Sequence, residues 1–120
     1  MSDLKAIVYI MAAIRASEDK PGFDLALVDQ KAVKVDAKTR DLLAIKLQKA
    51  GYIEGLNVID DIDNQTVPYI AWSCSKPSVT LAGLEYMQEN SAFRKAAEEV
   101  KQDALAVASQ VVSNVIISKL

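Results

Sequence analysis

The sequence predicts an α+β fold: a winged-helix-like domain of helices and a small antiparallel β-hairpin wing, with an extended C-terminal helix. Three features predict it. The stretch Leu47-Gln48-Lys49-Ala50-Gly51-Tyr52-Ile53 reads as a helix that stops on a glycine and turns straight into a strand, the junction expected of a winged helix. Two β-prone runs, Tyr52 to Ile59 and Tyr69 to Cys74, follow closely enough to pair as a hairpin. Ser78 to Ser91 then reads as a capped helix with apolar residues at helical spacing, of the kind that closes a winged domain after the wing.

The first helix is expected over Asp3 to Ala16, where Leu4, Ile7, Val8, Ile10, Met11 and Ile14 recur at three- and four-residue intervals and Ser2 or Asp3 can cap the first turn. Glu18, Asp19, Lys20, Pro21 and Gly22 then form a cluster of charges and breakers that exposes a loop. Leu25, Leu27 and Val28 read as a short strand or an extended stretch, and Asp29 can cap a brief helix over Gln30 to Val33. Asp36 caps the next helix, Ala37 to Ala50, whose stripe runs through Leu43, Leu47 and Ala50 and is widened by Leu42 and Ile45. Gly51 supplies the left-handed residue that ends it. In the hairpin, Asp60 to Thr66 forms the tip, and Pro68 opens the return strand, where a missing N–H matters least. Pro77 and Ser78 end the sheet and open the following helix.

Residues 1–91 are thus read as the winged-helix-like domain and 92–120 as a C-terminal helix serving oligomerisation. In the latter, Phe93, Ala97, Val100, Ala104, Val107, Val111 and Val115 recur in alternating steps of four and three, close to a heptad. Its last part carries Val111, Val112, Val115, Ile116, Ile117 and Leu120 with Lys119 as nearly the only charge. A helix this apolar needs a covering surface, so a two-fold homodimer through Val107, Val111, Val112, Val115 and Ile116 is expected. The alternative is that it folds back onto the first helix.

The chain has 120 residues, about half of them apolar, which suits a single domain with a buried core. Fourteen basic residues against 16 acidic ones leave a net charge of −2, so any contact with nucleic acid must come from a local patch. Cys74 is the single cysteine and cannot form an intramolecular disulfide, and the first residues lack a signal-peptide pattern. A cytoplasmic protein is expected. The run from Val111 to Ile117 is broken by Ser113 and Asn114 and falls short of the roughly 20 residues that span a bilayer, so no membrane partner is expected.

The Gly51-Tyr52-Ile53 junction, together with Thr80, Gly83, Leu84, Tyr86, Glu89, Asn90 and Ser91, resembles the YjcQ-like family of small bacterial and prophage winged-helix proteins. The likeness covers roughly residues 4 to 100, and the segment from Ser17 to Val35 and the extension after Lys101 depart from it. What the resemblance implies is a DNA-binding-like shape, with no enzymatic activity and no catalytic residues to transfer.

Chemistry points the same way. The chain has no histidine, which removes the commonest general base and metal ligand, and Cys74, in an expected strand, lacks a base partner and reads as a small packing residue. Glu85 and Glu89 share a helix face but read as solvated, and no phosphate-cradling glycine motif is present. Asp61 and Asp63 lack the calcium-loop pattern, because Thr66 and Trp72 stand where it needs glycine and glutamate. No enzyme, metal or cofactor is therefore expected.

Lysines and an arginine do crowd one segment. Lys31, Lys34, Lys38, Arg40, Lys46 and Lys49 face only Asp29, Asp36 and Asp41, so an acidic chain is basic where a recognition helix would enter the major groove. Lys38, Thr39 and Arg40 would approach base edges of double-stranded DNA, and Lys34, Lys46 and Lys49 would touch phosphate. The bland alternative is a solvated amphipathic face, and the acidic tip residues Asp60, Asp61 and Asp63 would be repelled by phosphate. Tyr69 and Trp72 read better as packing residues than as a platform for stacked bases. Two functions thus follow from the sequence: a small DNA-binding transcriptional regulator of phage or prophage origin, or a winged-helix module for protein–protein interaction without DNA binding.

Overall fold

A computed structural model of the chain describes residues 3–29, 33–60 and 67–101. Among these the order is helix α1 (Asp3–Ser17), a 3₁₀ turn (Leu25–Val28), helix α2 (Ala37–Lys49), strands β1 (Ile53–Glu54), β2 (Val58–Ile59) and β3 (Tyr69–Ile70), a second 3₁₀ turn (Trp72–Cys74), strand β4 (Ser78–Val79), and helices α3 (Leu81–Glu89) and α4 (Ser91–Lys101). This is an α+β fold of winged-helix type, as the sequence predicts. Among the described residues no helix is long and apolar enough to cross a membrane.

Helix α1 is the centre of the molecule. Its residues Ala6, Val8, Tyr9, Ile10, Met11, Ala12, Ala13 and Ile14 are all buried, because α4, α2, β4 and the first 3₁₀ turn pack around it. A helix with apolar residues on nearly every side is stable only when surrounded in this way. Helix α4 supplies one wall through Phe93, Ala96, Ala97 and Val100, spaced at three and four residues and all buried. The stripe that calls for a partner surface in the sequence therefore has one in α1 as far as Val100. The residues expected at a dimer interface, Val107, Val111, Val112, Val115 and Ile116, lie outside the described residues, as do the tip residues Asp61 to Thr66 and the segment Gln30 to Ala32.

Helix α2 begins and ends on local signals. The Asp36 carboxylate accepts the Thr39 N–H at 2.7 Å, and Ala50 and Gly51 close the last turn with bonds to the Lys46 and Gln48 carbonyls. Gly51 then turns the chain at φ +86°, a conformation that a side chain strains.

The sheet differs from the expected hairpin. Strand β2 pairs antiparallel with β3, Val58 opposite Ile70 and Ile59 opposite Tyr69, but β1 pairs with β4, Ile53 opposite Val79 and Glu54 opposite Ser78. Ser78 is thus a strand residue, and Thr80, two positions later, caps α3 by accepting the Gly83 N–H at 3.0 Å. Two causes act. Gly55 at φ +90° divides the first β-prone run in two. In the returning chain, Trp72 to Cys74 wind into a 3₁₀ turn that bulges out of the ribbon, while Ala71 N bonds Asn57 O at 2.9 Å on one side and Lys76 N bonds Gly55 O at 3.1 Å on the other. The bulge leaves Cys74 exposed in a turn, where the sequence reading had a packed strand residue. Leu25–Val28, expected as strand or extended chain, is also a 3₁₀ turn, capped by Asp24.

The two sequence motifs that carry the family resemblance meet in space. Thr80 N donates to Tyr52 O at 3.1 Å, and the Thr80 hydroxyl donates to Gly51 O. Tyr52 stacks on Tyr86 with ring centroids 4.5 Å apart, and Tyr86 meets Phe93 edge-on at 5.2 Å. The end of α2, the start of α3 and the start of α4 are therefore joined at one place, by backbone bonds and three rings worth about 0.5–1.5 kcal/mol per ring pair beyond their buried area.

Candidate nucleic-acid interface

The solvent side of α2 is built by what its other side buries. Leu43, Ala44, Ile45 and Leu47 enter the core, which leaves Lys38, Lys46 and Lys49 exposed. At 100° per residue these three fall within an arc of about 80°. Among the described residues none of them forms an ion pair. Lys46 and Lys49 occupy the last turn, where they also complement the negative end of the helix dipole. Lys34 is half-buried in the turn before α2 and adopts φ +61°. Thr39 is half-buried, and its N–H is engaged in the Asp36 cap. Hydrogen bonding from Thr39, by its hydroxyl first and its backbone second, holds the Asp36 carboxyl below its ordinary value of 3.8, with a smaller contribution from Lys38.

Arg40 is placed differently from the contact with base edges that the sequence reading gave it. Its Nε donates to Asp41 Oδ1 at 2.8 Å, its Nη1 donates to the Val28 carbonyl at 3.1 Å, and its guanidinium lies over the Trp72 ring at 5.5 Å from the centroid. Only 11% of the side chain is exposed. The helix turn that puts Leu43 and Leu47 in the core swings Arg40 toward the 3₁₀ turns, where a carboxylate, a carbonyl and an aromatic face satisfy it.

Asp41 is the residue that sequence reasoning missed. It is 5% exposed, yet its Oδ1 accepts from Arg40 and from Trp72 Nε1 at 2.9 Å, and its Oδ2 accepts the Ile70 N–H at 3.0 Å. One buried carboxylate thus ties α2 to the wing strand and the bulge. A signal was present, because Asp41 stands three and four residues before Ala44 and Ile45, on their face of the helix. Gln48 plays a parallel part from the next turns: Leu56 N donates to its Oε1 at 2.9 Å, and its Nε2 donates to Leu56 O at 3.4 Å. Trp72, 4% exposed and committed to Asp41, presents no stacking face to solvent, whereas Tyr69 on the wing strand is 52% exposed.

The assembled site is a helix with a cationic outer face, braced from behind against a short wing by Asp41, Arg40 and Gln48. A family model described as YjcQ protein matches residues 7–103, from within α1 to beyond the last described residue, Lys101. No curated protein and no solved structure matches the chain. A match over so much of the 120 residues, across both sequence motifs and the ring cluster that joins them, means that this chain belongs to the YjcQ family.

Proposed function

We propose that this YjcQ-family protein is a non-enzymatic, DNA-binding regulator of phage or prophage origin that lays the outer face of α2 against duplex DNA. The observation that carries this reading is the stripe of Lys38, Lys46 and Lys49, three exposed cations on one face and none of them in an ion pair among the described residues, in a chain of net charge −2. Phosphate neutralisation by such a stripe supplies affinity, while Lys38 and Thr39 in the first turn of α2 stand closest to where winged proteins read base edges. Arg40 acts in this reading as a positioning residue that holds α2 against the wing. Dimerisation through Val107, Val111, Val112, Val115 and Ile116 would present two such helices; removing residues 102–120 then yields monomers or insoluble protein, and an unchanged oligomer in light scattering refutes the dimer.

The test is fluorescence anisotropy of a labelled random-sequence duplex pool. Three phosphate contacts per protomer give a salt slope of about −2.7 for a monomer, a fall in affinity of about 40-fold between 50 and 200 mM salt, and about −5.4 where a dimer engages DNA with both helices; Lys46→Gln or Lys49→Gln each reduces the slope by about one per engaged protomer. Absence of binding at low salt refutes the reading and favours the protein-interaction module, for which the exposed Leu81, Tyr69 and Val67 offer apolar contact surface.

A further inference from the structure

A cleft of about 260 Å³ opens between the end of α1, the loop that follows it, and the start of β4. Phe23 lines it, half-buried, and stacks on Trp72 with centroids 5.2 Å apart and 24° between planes. Pro21 and Pro77 stiffen two sides. At the edges stand Lys20 and Lys76, both exposed and neither ion-paired among the described residues. The cleft also holds the carboxylate of Glu18, but that group is committed: Oε1 accepts the Val79 N–H at 2.8 Å, and Oε2 is paired with Arg15 at 2.7 Å. Beyond it, the exposed Glu54 accepts from the Ser78 hydroxyl at 3.5 Å, at the rim of the lining. The cleft therefore combines an aromatic wall with two uncompensated cations, against one neutralised and one solvated carboxylate.

We propose that this cleft binds a small anion with a flat apolar body, of the aromatic carboxylate class. The volume lies just under the usual range for drug-sized ligands, which begins at about 300 Å³, and so suits a single ring with one acidic group. Such a ligand lays its ring along Phe23 in offset contact and sets its carboxylate between Lys20 and Lys76, whose charge-assisted bonds give it orientation. No lining residue belongs to α2, so this site and the DNA-binding reading stand or fall separately.

The test is a ¹H–¹⁵N NMR titration of the full-length protein at low ionic strength with benzoate, with benzamide as its uncharged counterpart and acetate as its ringless one. Benzoate saturates with a dissociation constant on the order of millimolar, as befits a ligand of its size. The shifts centre on Lys20, Gly22, Phe23, Lys76 and Ser78, and benzamide and acetate each bind at least several-fold more weakly. Lys20→Gln and Lys76→Gln each weaken benzoate by up to about five-fold, whereas Lys46→Gln on α2 leaves it unchanged. The proposal is overturned if benzoate gives no saturable shift, if benzamide binds as tightly, or if the response follows the α2 lysines.

Discussion

Replacing Asp41 by alanine tests whether one buried carboxylate holds the helix and the wing together. Asp41 is 5% exposed, and its carboxylate accepts three donors, Arg40 Nε at 2.8 Å, Trp72 Nε1 at 2.9 Å and Ile70 N at 3.0 Å. Its removal leaves the Trp72 and Ile70 N–H groups buried without acceptors, at about 1–3 kcal/mol each, and strips the counter-charge from an arginine side chain that is 11% exposed. Breaking a buried pair from one side costs about 3–5 kcal/mol, a large share of the roughly 5–15 kcal/mol that holds an ordinary domain together. Asp41→Asn keeps the shape but turns an amide N–H₂ toward groups that already donate, so it recovers only part of the loss. The assay is urea unfolding followed by fluorescence of Trp72, the single tryptophan, and by circular dichroism. A double-mutant cycle with Arg40→Met should show strong coupling, since each single change strips the other side chain of its counter-charge. If Asp41→Ala costs less than about 1 kcal/mol, the carboxylate is not the brace argued above.

Other perturbations probe the remaining links. Asp36→Asn keeps the cap acceptor on α2 but removes its titration: a carboxyl held below 3.8 in the folded state contributes stability that is full above that pH and lost as pH falls through the folded value. The advantage of the native protein over the variant should therefore shrink in acid, and a constant difference from neutral pH to well below pH 3.8 would show that the cap charge is irrelevant. Gly83→Ala gains about 1 kcal/mol in helix propensity, yet its Cβ would lie 2.7 Å from Val79 Cγ1 and press on the Tyr52 carbonyl, so thermal unfolding should report a net loss of up to about 2 kcal/mol once an overpacking cost of about 1–3 kcal/mol is set against that gain. Phe93→Ala opens a void between α4, α1 and Tyr86 and should cost about 3–5 kcal/mol; a cost below 1 kcal/mol in chemical denaturation would mean that α4 is only loosely attached to the core. Tyr86, whose phenol burial pushes up from 10.0 with Tyr52 adding to the shift, should form its phenolate later than free tyrosine in an ultraviolet titration, and native stability should decline as pH rises above 10.0.

What the chain shows by itself is what depends on near neighbours. The Asp36 cap, the Gly51 stop and the position of Pro68 just before β3 each rest on a residue and its immediate neighbours, and each stands where the sequence predicts. The three- and four-residue spacing of α1 and α4 likewise marks them as core helices, although it does not say that α1 is enclosed on nearly every side or that α4 is what encloses it. Exposure of Lys38, Lys46 and Lys49 was also legible, because it is the complement of the apolar stripe on the same helix.

Everything that joins distant segments was decided by the tertiary structure. Arg40 reads in the sequence as one more cation of a basic helix, and only the approach of Trp72, Ile70 and Val28 turns it inward and makes Asp41 its counter-charge. Ser78 pairs as a strand because Trp72 to Cys74 leave the ribbon, and they leave it because the indole N–H finds its acceptor in Asp41, 31 positions earlier. The cleft beside Phe23 likewise needs Lys20 and Lys76 to be brought together by the bond from Val79 to Glu18, which spans 61 positions. Helix propensity, caps and turn residues act within a few positions and are written in the local sequence, whereas a buried charge finds its partner only through the packing of the whole chain.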